Sequence, residues 1–436
     1  MATRSARTRI ALAAATALSL TVGVGACSSG GSSSSSDGGK TFTYWSMWKT
    51  GEPQQKVIAA AISDFEKQTG DKVNVQWVGR QVMQKLTPAL NTGSVPDLVD
   101  GPVSKAYPTL VATGQALGLK GAYADKAGNE TASSVIPAKY LKDINIKLSD
   151  GQPWMVPYNI QTDGIWFNAA TYPQYKSNPP TTWDAFVKEL GALKAKGVTP
   201  IAADGNVPGY NDYWFVTLMT QLGGPGSLKK IAADKTGNAW KGALPLRAAQ
   251  KVEQLVKGGY LIKGYQAAQF PYEQQQWANN KAAFILMGSW LPTEASSYAA
   301  DGMVYDSFPF PSTGGTDSAR VDLSGFEIPK KAKNPTAAEQ FAAFFLQKKY
   351  QTMWAKDAQV IPIRSDVAVP KALTSAVKSL QTATSFRQQD DGILFPGYLE
   401  KVFYPLDDQL FFGKITAQEF VDKMASAQKS YWESQG

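Results

Sequence analysis

Histidine is absent from this chain of 436 residues, and cysteine occurs once, at Cys27. Without histidine the commonest metal ligand and the commonest general base are both missing, so His-based zinc sites and Ser-His-Asp or Cys-His catalysis lack a required part. With a single cysteine no disulfide can form within the chain, and stability must come from packing. Long runs of one charge are scarce too. No stretch of Lys/Arg interleaved with aromatic residues suggests a nucleic-acid groove, and Lys330, Lys331 and Lys333 read as a solvated turn. The phosphate-cradling pattern G-x-x-x-x-G-K-[ST] does not occur, so any ATP-driven step must be supplied by a partner. These absences lead to an expectation of no catalytic residue, no metal site and no cofactor.

What is present begins at the N-terminus. Arg4, Arg7 and Arg9 precede an apolar stretch over 10–24 that is too short and wrongly flanked for a transmembrane helix, which reads as an export signal. Cys27 follows small residues and precedes a segment, 28–39, that is almost wholly Ser and Gly and behaves as a flexible coil. The formal charge of +8 falls to +5 once the three leader arginines are removed, leaving a mildly basic body. The roughly 400 residues that remain exceed what one hydrophobic core usually supports, so two lobes are expected. Aromatic residues make up 11 % of the chain, and several occur beside Gly, Asn and Asp. Most of these rings belong to the core, but rings on loops with polar neighbours are how proteins hold sugars: the flat face covers pyranose C–H groups while amides and carboxylates bind hydroxyls.

Periodicity predicts a strand over 41–45, a helix from Pro53 to Gly70 with Val57, Ile58, Ala61, Ile62 and Phe65 inside, a strand over 73–77, a helix around Met83, Leu86 and Leu90, and a buried strand over 95–99. This β-α-β-α-β order implies an α/β lobe whose ligands bind beyond the carboxyl ends of its strands, near Trp48, Gln81 and Asp100. Residues 155–168 read as an extended crossover. Thr182 is expected to cap a helix bearing Trp183, Phe186, Leu190 and Leu193. A loop over 206–214 leads into a helix over 213–222, and an apolar strand over 282–287 runs into Gly288-Ser289-Trp290. The chain then returns through a strand at 323–328 and a helix with Phe341, Phe344 and Phe345 buried. Further helices are predicted over 371–380, 398–406 and 416–431, and no solenoid repeat is visible.

Several motifs in this order resemble those of the extracellular solute-binding proteins of carbohydrate-uptake ABC transporters, the maltose-binding-protein-like group. Gly93-Ser94-Val95-Pro96-Asp97-Leu98 is similar to a "G-x-x-P-D-[ILV]" strand. Val156-Pro157-Tyr158, Trp166-Phe167-Asn168 and Pro180-Thr181-Thr182-Trp183-Asp184 resemble a "P-Y … Y-N … P-x-T-W-[DE]" signature, with Phe167 where Tyr is usual. Met287-Gly288-Ser289-Trp290 resembles an "M-G-x-W" loop, and Ile328-Pro329-Lys330 and Ile361-Pro362-Ile363-Arg364 resemble the return crossings. Val24-Gly25-Ala26-Cys27 is similar to a bacterial lipobox, with Gly25 a departure from the usual Ala, Ser or Thr.

The resemblance implies an α/β, two-lobe periplasmic-binding-protein-like fold with three hinge crossings and an interlobe ligand cleft. Residues 1–26 become a lipoprotein signal peptide and 27–39 a tether after lipidated Cys27. Residues 40–158 with 320–360 form one lobe, and 159–319 with 361–436 the other. Trp290, after Gly288, stands where the family places a sugar-stacking tryptophan. Gln161 falls at the first crossing; Asn211 and Tyr213 fall where the second lobe supplies polar and aromatic contacts. Trp48, Glu52, Gln81 and Asp100 are the first-lobe candidates, and Arg364 either reaches the cleft or pairs with a structural carboxylate. The implied partners are a mono- or oligosaccharide, ABC permease transmembrane subunits with a separate ATPase, and the membrane through lipid on Cys27. The implied protein is a monomer on the extracellular face of the cell membrane. A receptor for a polyol, sugar phosphate or peptide, and a secreted glycosidase built on two carboxylates, are the alternatives.

Overall fold

The computed structural model describes residues 40–141, 144 and 146–435. The expected signal peptide, Cys27 and the tether lie outside the described residues. The described residues form one compact unit.

The strands of the two main sheets are, in chain order, β1 (Thr41–Ser46), β2 (Lys72–Trp77), β3 (Leu98–Pro102), β4 (Val156–Gln161), β5 (Asp163–Asn168), β6 (Ile201–Ala202), β7 (Phe284–Gly288), β8 (Tyr305–Phe308), β9 (Asp322–Glu327) and β10 (Ile361–Pro362). The first lobe is built on a six-stranded sheet in the order β10-β4-β9-β3-β1-β2, and the second on a four-stranded sheet, β8-β5-β7-β6. β1 runs parallel to β2 and β3, whereas β9 and β10, which arrive from later in the chain, pair antiparallel.

The helix Pro53–Thr69 shows why local sequence suffices for much of this lobe. Pro53 occupies the first helical position, where its fixed φ is pre-organised, and Gly70 ends the helix at φ 78, a conformation that costs glycine little. Its apolar stripe buries the five residues that the spacing predicts, each worth about 1.5–3 kcal/mol when a full side chain leaves water, alanine less. Phe65 meets Phe341 and Phe344 edge-on at 5.4 and 5.3 Å, so the returning helix Pro335–Phe344 closes a core begun some 270 residues earlier.

Three segments connect the sheets. β4 passes to β5 through Thr162 alone. The predicted break after Tyr158 comes later, because residues Asn159 to Gln161 still pair with β9 and β10. The second connection runs through Ser318–Arg320 into β9, and the third leaves β10 and reaches Ser385–Arg387; these two short strands pair in parallel. The third connection also departs later than position 361, since Ile361 and Pro362 still pair with β4. Arg387 donates to Asp163 Oδ2 at 2.6 Å and to Thr217 Oγ1 at 2.8 Å, which ties the first and third connections to the helix Pro208–Gly223.

That helix differs from expectation. Pro208 starts it at a first-turn position, so residues 208–214 are helical rather than looped. Helical spacing then turns Tyr210, Tyr213 and Thr217 to one side and Asn211 away from it.

Candidate functional site

A cavity of about 450 Å³ lies at the carboxyl end of β1, bounded by residues from both lobes and from the connections. Its first-lobe wall is anchored by Asp100, which is fully buried within β3. Asp100 accepts the Met47 amide at 2.7 Å and the Tyr158 hydroxyl at 2.8 Å, and the Tyr158 oxygen in turn accepts Trp48 Nε1 at 3.2 Å. This chain of bonds fixes the Trp48 indole, whose edge also meets Trp354 at 5.9 Å. Arg80 covers the Trp48 ring at 4.6 Å and forks onto Glu52 through two 3.1 Å bonds. Burial pushes the Asp100 carboxyl up to about 6 despite the donors it accepts.

The second-lobe wall is aromatic. Trp290 follows the end of β7, and Tyr210 stacks against it with centroids 6.1 Å apart and planes 29° apart. Tyr210 also contacts Tyr213 at 5.8 Å. The Arg320 guanidinium, almost wholly buried, lies 4.8 Å from the Tyr213 ring and 5.3 Å from the Trp290 ring. Arg320 pairs with Asp322 (Nε to Oδ2, 3.0 Å) and donates to Gln389 at 2.9 Å. Stacking and cation–π contacts of this kind each contribute about 0.5–1.5 kcal/mol.

Polar atoms left over at the lining define what the cavity can recognise. Asn159 Oδ1, Ser324 Oγ, Arg320 Nη1 and Thr293 Oγ1 are buried and have no hydrogen-bond partner among the described residues. A buried polar atom without a partner costs about 1–3 kcal/mol, so several such atoms gathered on one lining favour a ligand rich in hydroxyls. Every cation on the lining already faces a carboxylate: Arg80 with Glu52, Arg320 with Asp322, and Lys105 with Glu400 at 3.8 Å. An anionic ligand would find no uncompensated charge there.

Residues 49–352 match the family of bacterial extracellular solute-binding proteins. This chain belongs to that family. A probable sugar-binding periplasmic protein of Rhizobium meliloti is 22% identical over 69% of this chain and 73% of its own length. The multiple sugar-binding protein of Streptococcus mutans is 24% identical over 79% of this chain and 81% of its own length. A solute-binding protein solved in complex with raffinose superposes with TM-score 0.72 at 17% identity, covering 89% of this chain and 99% of that one. The fold of this solute-binding protein is accordingly the two-lobe one that its sequence motifs imply.

Of the candidates read from the sequence, Trp48, Glu52, Gln161, Tyr213 and Trp290 come together on the cavity lining of the solute-binding protein. The other five stand elsewhere. Gln81 is exposed at the start of the helix Val82–Thr92 and off the lining. Asp100 lies beneath the wall as an anchor for Met47 and Tyr158. Asn211, carried to the far side of its helix, donates to Gly205 O at 3.2 Å and Asp408 Oδ1 at 2.9 Å. Gly288 makes room: a Cβ there would sit 2.2 Å from the Trp290 ring. Arg364 takes the structural option, bonding Asp366 at 2.8 Å and Glu130 at 2.6 Å.

Arg320, Tyr210, Asn159 and Ser324 were not singled out by sequence reasoning. Tyr210 stands three residues before Tyr213, a helical spacing that a helix prediction starting at Pro208 would have used. Arg320, Asn159 and Ser324 sit on strands, where alternation marks them as inward-facing but does not say that the inside is a cavity floor.

Proposed function

We propose that this solute-binding protein captures a neutral sugar, a mono- or oligosaccharide, between its lobes and delivers it unchanged to an ABC permease driven by a separate ATPase. The observation that carries the reading is the lining itself: aromatic faces on one wall, unpartnered donors and acceptors on the floor, and every cation neutralised. Pyranose rings present apolar C–H faces and a rim of hydroxyls, which such a surface complements. The names of the relatives, and the raffinose bound to a structural neighbour, support the same class.

In this reading Tyr210 and Trp290 hold the sugar faces, and Asn159, Ser324, Arg320 and Gln161 bond its hydroxyls. The connections at Thr162, Ser318–Arg320 and Ser385–Arg387 act as the hinge on which the lobes close, so that ligand binding selects the form the permease receives. In the same reading the protein works as a monomer on the extracellular face of the membrane, tethered through lipid on Cys27, where two or more acyl chains on one cysteine would meet the two-anchor requirement for stable attachment. Replacing Cys27 with serine is expected to move the protein from the membrane fraction into the medium; retention in the membrane fraction would refute the anchor.

Calorimetric titration with pooled mono- and oligosaccharides tests the central claim. A saturable signal without new reducing ends is the expected result. Product formation would make the protein a glycosidase, and silence with sugars but binding of polyols, sugar phosphates or peptides would move the ligand to another class.

A further inference from the structure

A second, smaller cavity of about 210 Å³ is lined by the same three connections as the main one, yet no residue lines both. At the first connection Gln161 lines the main cavity, and Thr162 and Asp163 line this one. At the second, Arg320 lines the main cavity and Ser318 and Ala319 this one; at the third, Gln389 and Arg387 divide in the same way. The helix Pro208–Gly223 also serves both, with Tyr213 on the main cavity and Thr217, one turn on, here.

The lining holds buried polar groups with bonding capacity to spare. Ser318 is 9 % exposed and Arg387 3 %, and Ser318 Oγ and Arg387 Nε are buried with no hydrogen-bond partner among the described residues. Buried polar atoms are normally partnered, so these point to an occupant. Its charge is constrained as well. Arg387 Nη2 already donates to Asp163 Oδ2 at 2.6 Å, which meets the guanidinium charge and leaves Nε–H to donate, and Asp317 stands exposed at the rim. An anion gains nothing there. Gln221, Ser379 and Thr382 bond backbone groups, and Pro180, Phe308, Phe310, Ala319 and Ala383 make much of the remaining wall apolar. An apolar cavity of about 150 Å³ takes benzene, so this one holds a compound of roughly seven to ten non-hydrogen atoms.

We propose that this cavity is a second ligand site, for a small neutral amphiphile whose carbonyl or hydroxyl oxygen accepts from Arg387 Nε and bonds Ser318 Oγ while its apolar body lies against Pro180, Phe308 and Phe310. The site does not depend on what the main cavity binds.

The test is ligand-observed NMR titration of the full-length protein with benzyl alcohol, cyclohexanone, benzamide and acetanilide, and with toluene and benzoate as controls. At least one of the four neutral oxygen-bearing probes should bind saturably, and toluene and benzoate at least tenfold more weakly. Ser318→Ala, which removes a hydroxyl that bonds nothing in the protein, should weaken that probe roughly two- to tenfold. Ala383→Leu, which fills the cavity, should weaken it more than tenfold, and Trp290→Ala, in the main cavity, should leave it unchanged. Saturation by none of the four, benzoate binding as well as benzamide, or unaltered affinity in Ser318→Ala would overturn the site. A loss in Trp290→Ala would place the probe in the main cavity and also overturn it. Thermal melts check that the variants fold; if Ala383→Leu does not, Ser318→Ala decides.

Discussion

Replacing Gly288 with alanine should disable the cavity wall without replacing any residue that contacts a ligand. The added Cβ would lie 2.2, 2.3 and 2.5 Å from three carbons of the Trp290 six-membered ring, whereas carbon atoms pack at about 3.5–4.0 Å. The ring must therefore retreat by more than an ångström. Being half-buried, Trp290 can swing toward the cleft more cheaply than β7 can move, since β7 is paired on both sides, with β5 and with β6. Swinging away forfeits the stack on Tyr210 and the contact with Arg320, about 0.5–1.5 and 0.5–1 kcal/mol respectively. An affinity loss of about 1–2.5 kcal/mol, roughly 5- to 70-fold, follows if the ligand uses that wall. Titration with whichever sugar the pooled screen returns measures it, and a thermal melt separates it from unfolding. Because the alanine acts only through the ring, Gly288→Ala together with Trp290→Ala should be no worse than Trp290→Ala alone. Wild-type affinity in Gly288→Ala, or additive losses in the double variant, would refute the reasoning.

Three further outcomes are expected. Asp100 is raised from 3.8 to about 6 by burial, so the folded state keeps a proton that the unfolded state releases; its contribution is full below pH ~4 and is lost as pH rises through ~6, at most about 3 kcal/mol. Urea titrations from pH 4 to 7 should show falling stability, with Asp204 and Glu273, pushed up to about 6 and about 7, adding in the same direction. Asp100→Asn should flatten that slope while costing about 1–3 kcal/mol at low pH, because it leaves one of two buried donors without an acceptor. Arg364→Met should lower stability by about 1–3 kcal/mol, its two partners being half-exposed, and leave ligand affinity unchanged in titration; a lost affinity would return Arg364 to the site. Arg387→Met leaves Asp163 buried and unpaired beside the first connection, so a cost of about 3–5 kcal/mol in chemical denaturation is expected. A loss below 1 kcal/mol would show that the connections do not depend on this ion pair.

From sequence alone came the class of molecule, the order of its elements and five residues of its cavity lining. Absent histidine and lone Cys27 removed whole chemistries, and the stripe Val57 to Phe65 between Pro53 and Gly70 specified a helix through forces that act within a few residues. Trp48, Glu52, Gln161, Tyr213 and Trp290 were legible because each sits at a strand end, at a connection or within a motif. Tertiary structure alone decided what the neighbouring side chains do. Asn211 turned away because Pro208 began the helix earlier than its apolar pattern announced. Asp100 went beneath the wall because Met47 and Tyr158 converge on it from positions 53 residues before and 58 residues after. Arg364 found Glu130, which is 234 residues away. Arg320 became part of the floor only when the second connection laid it between Tyr213 and Trp290. Local spacing records which face of an element is covered, but a cavity is made where covering stops, and that depends on contacts between residues the chain keeps far apart.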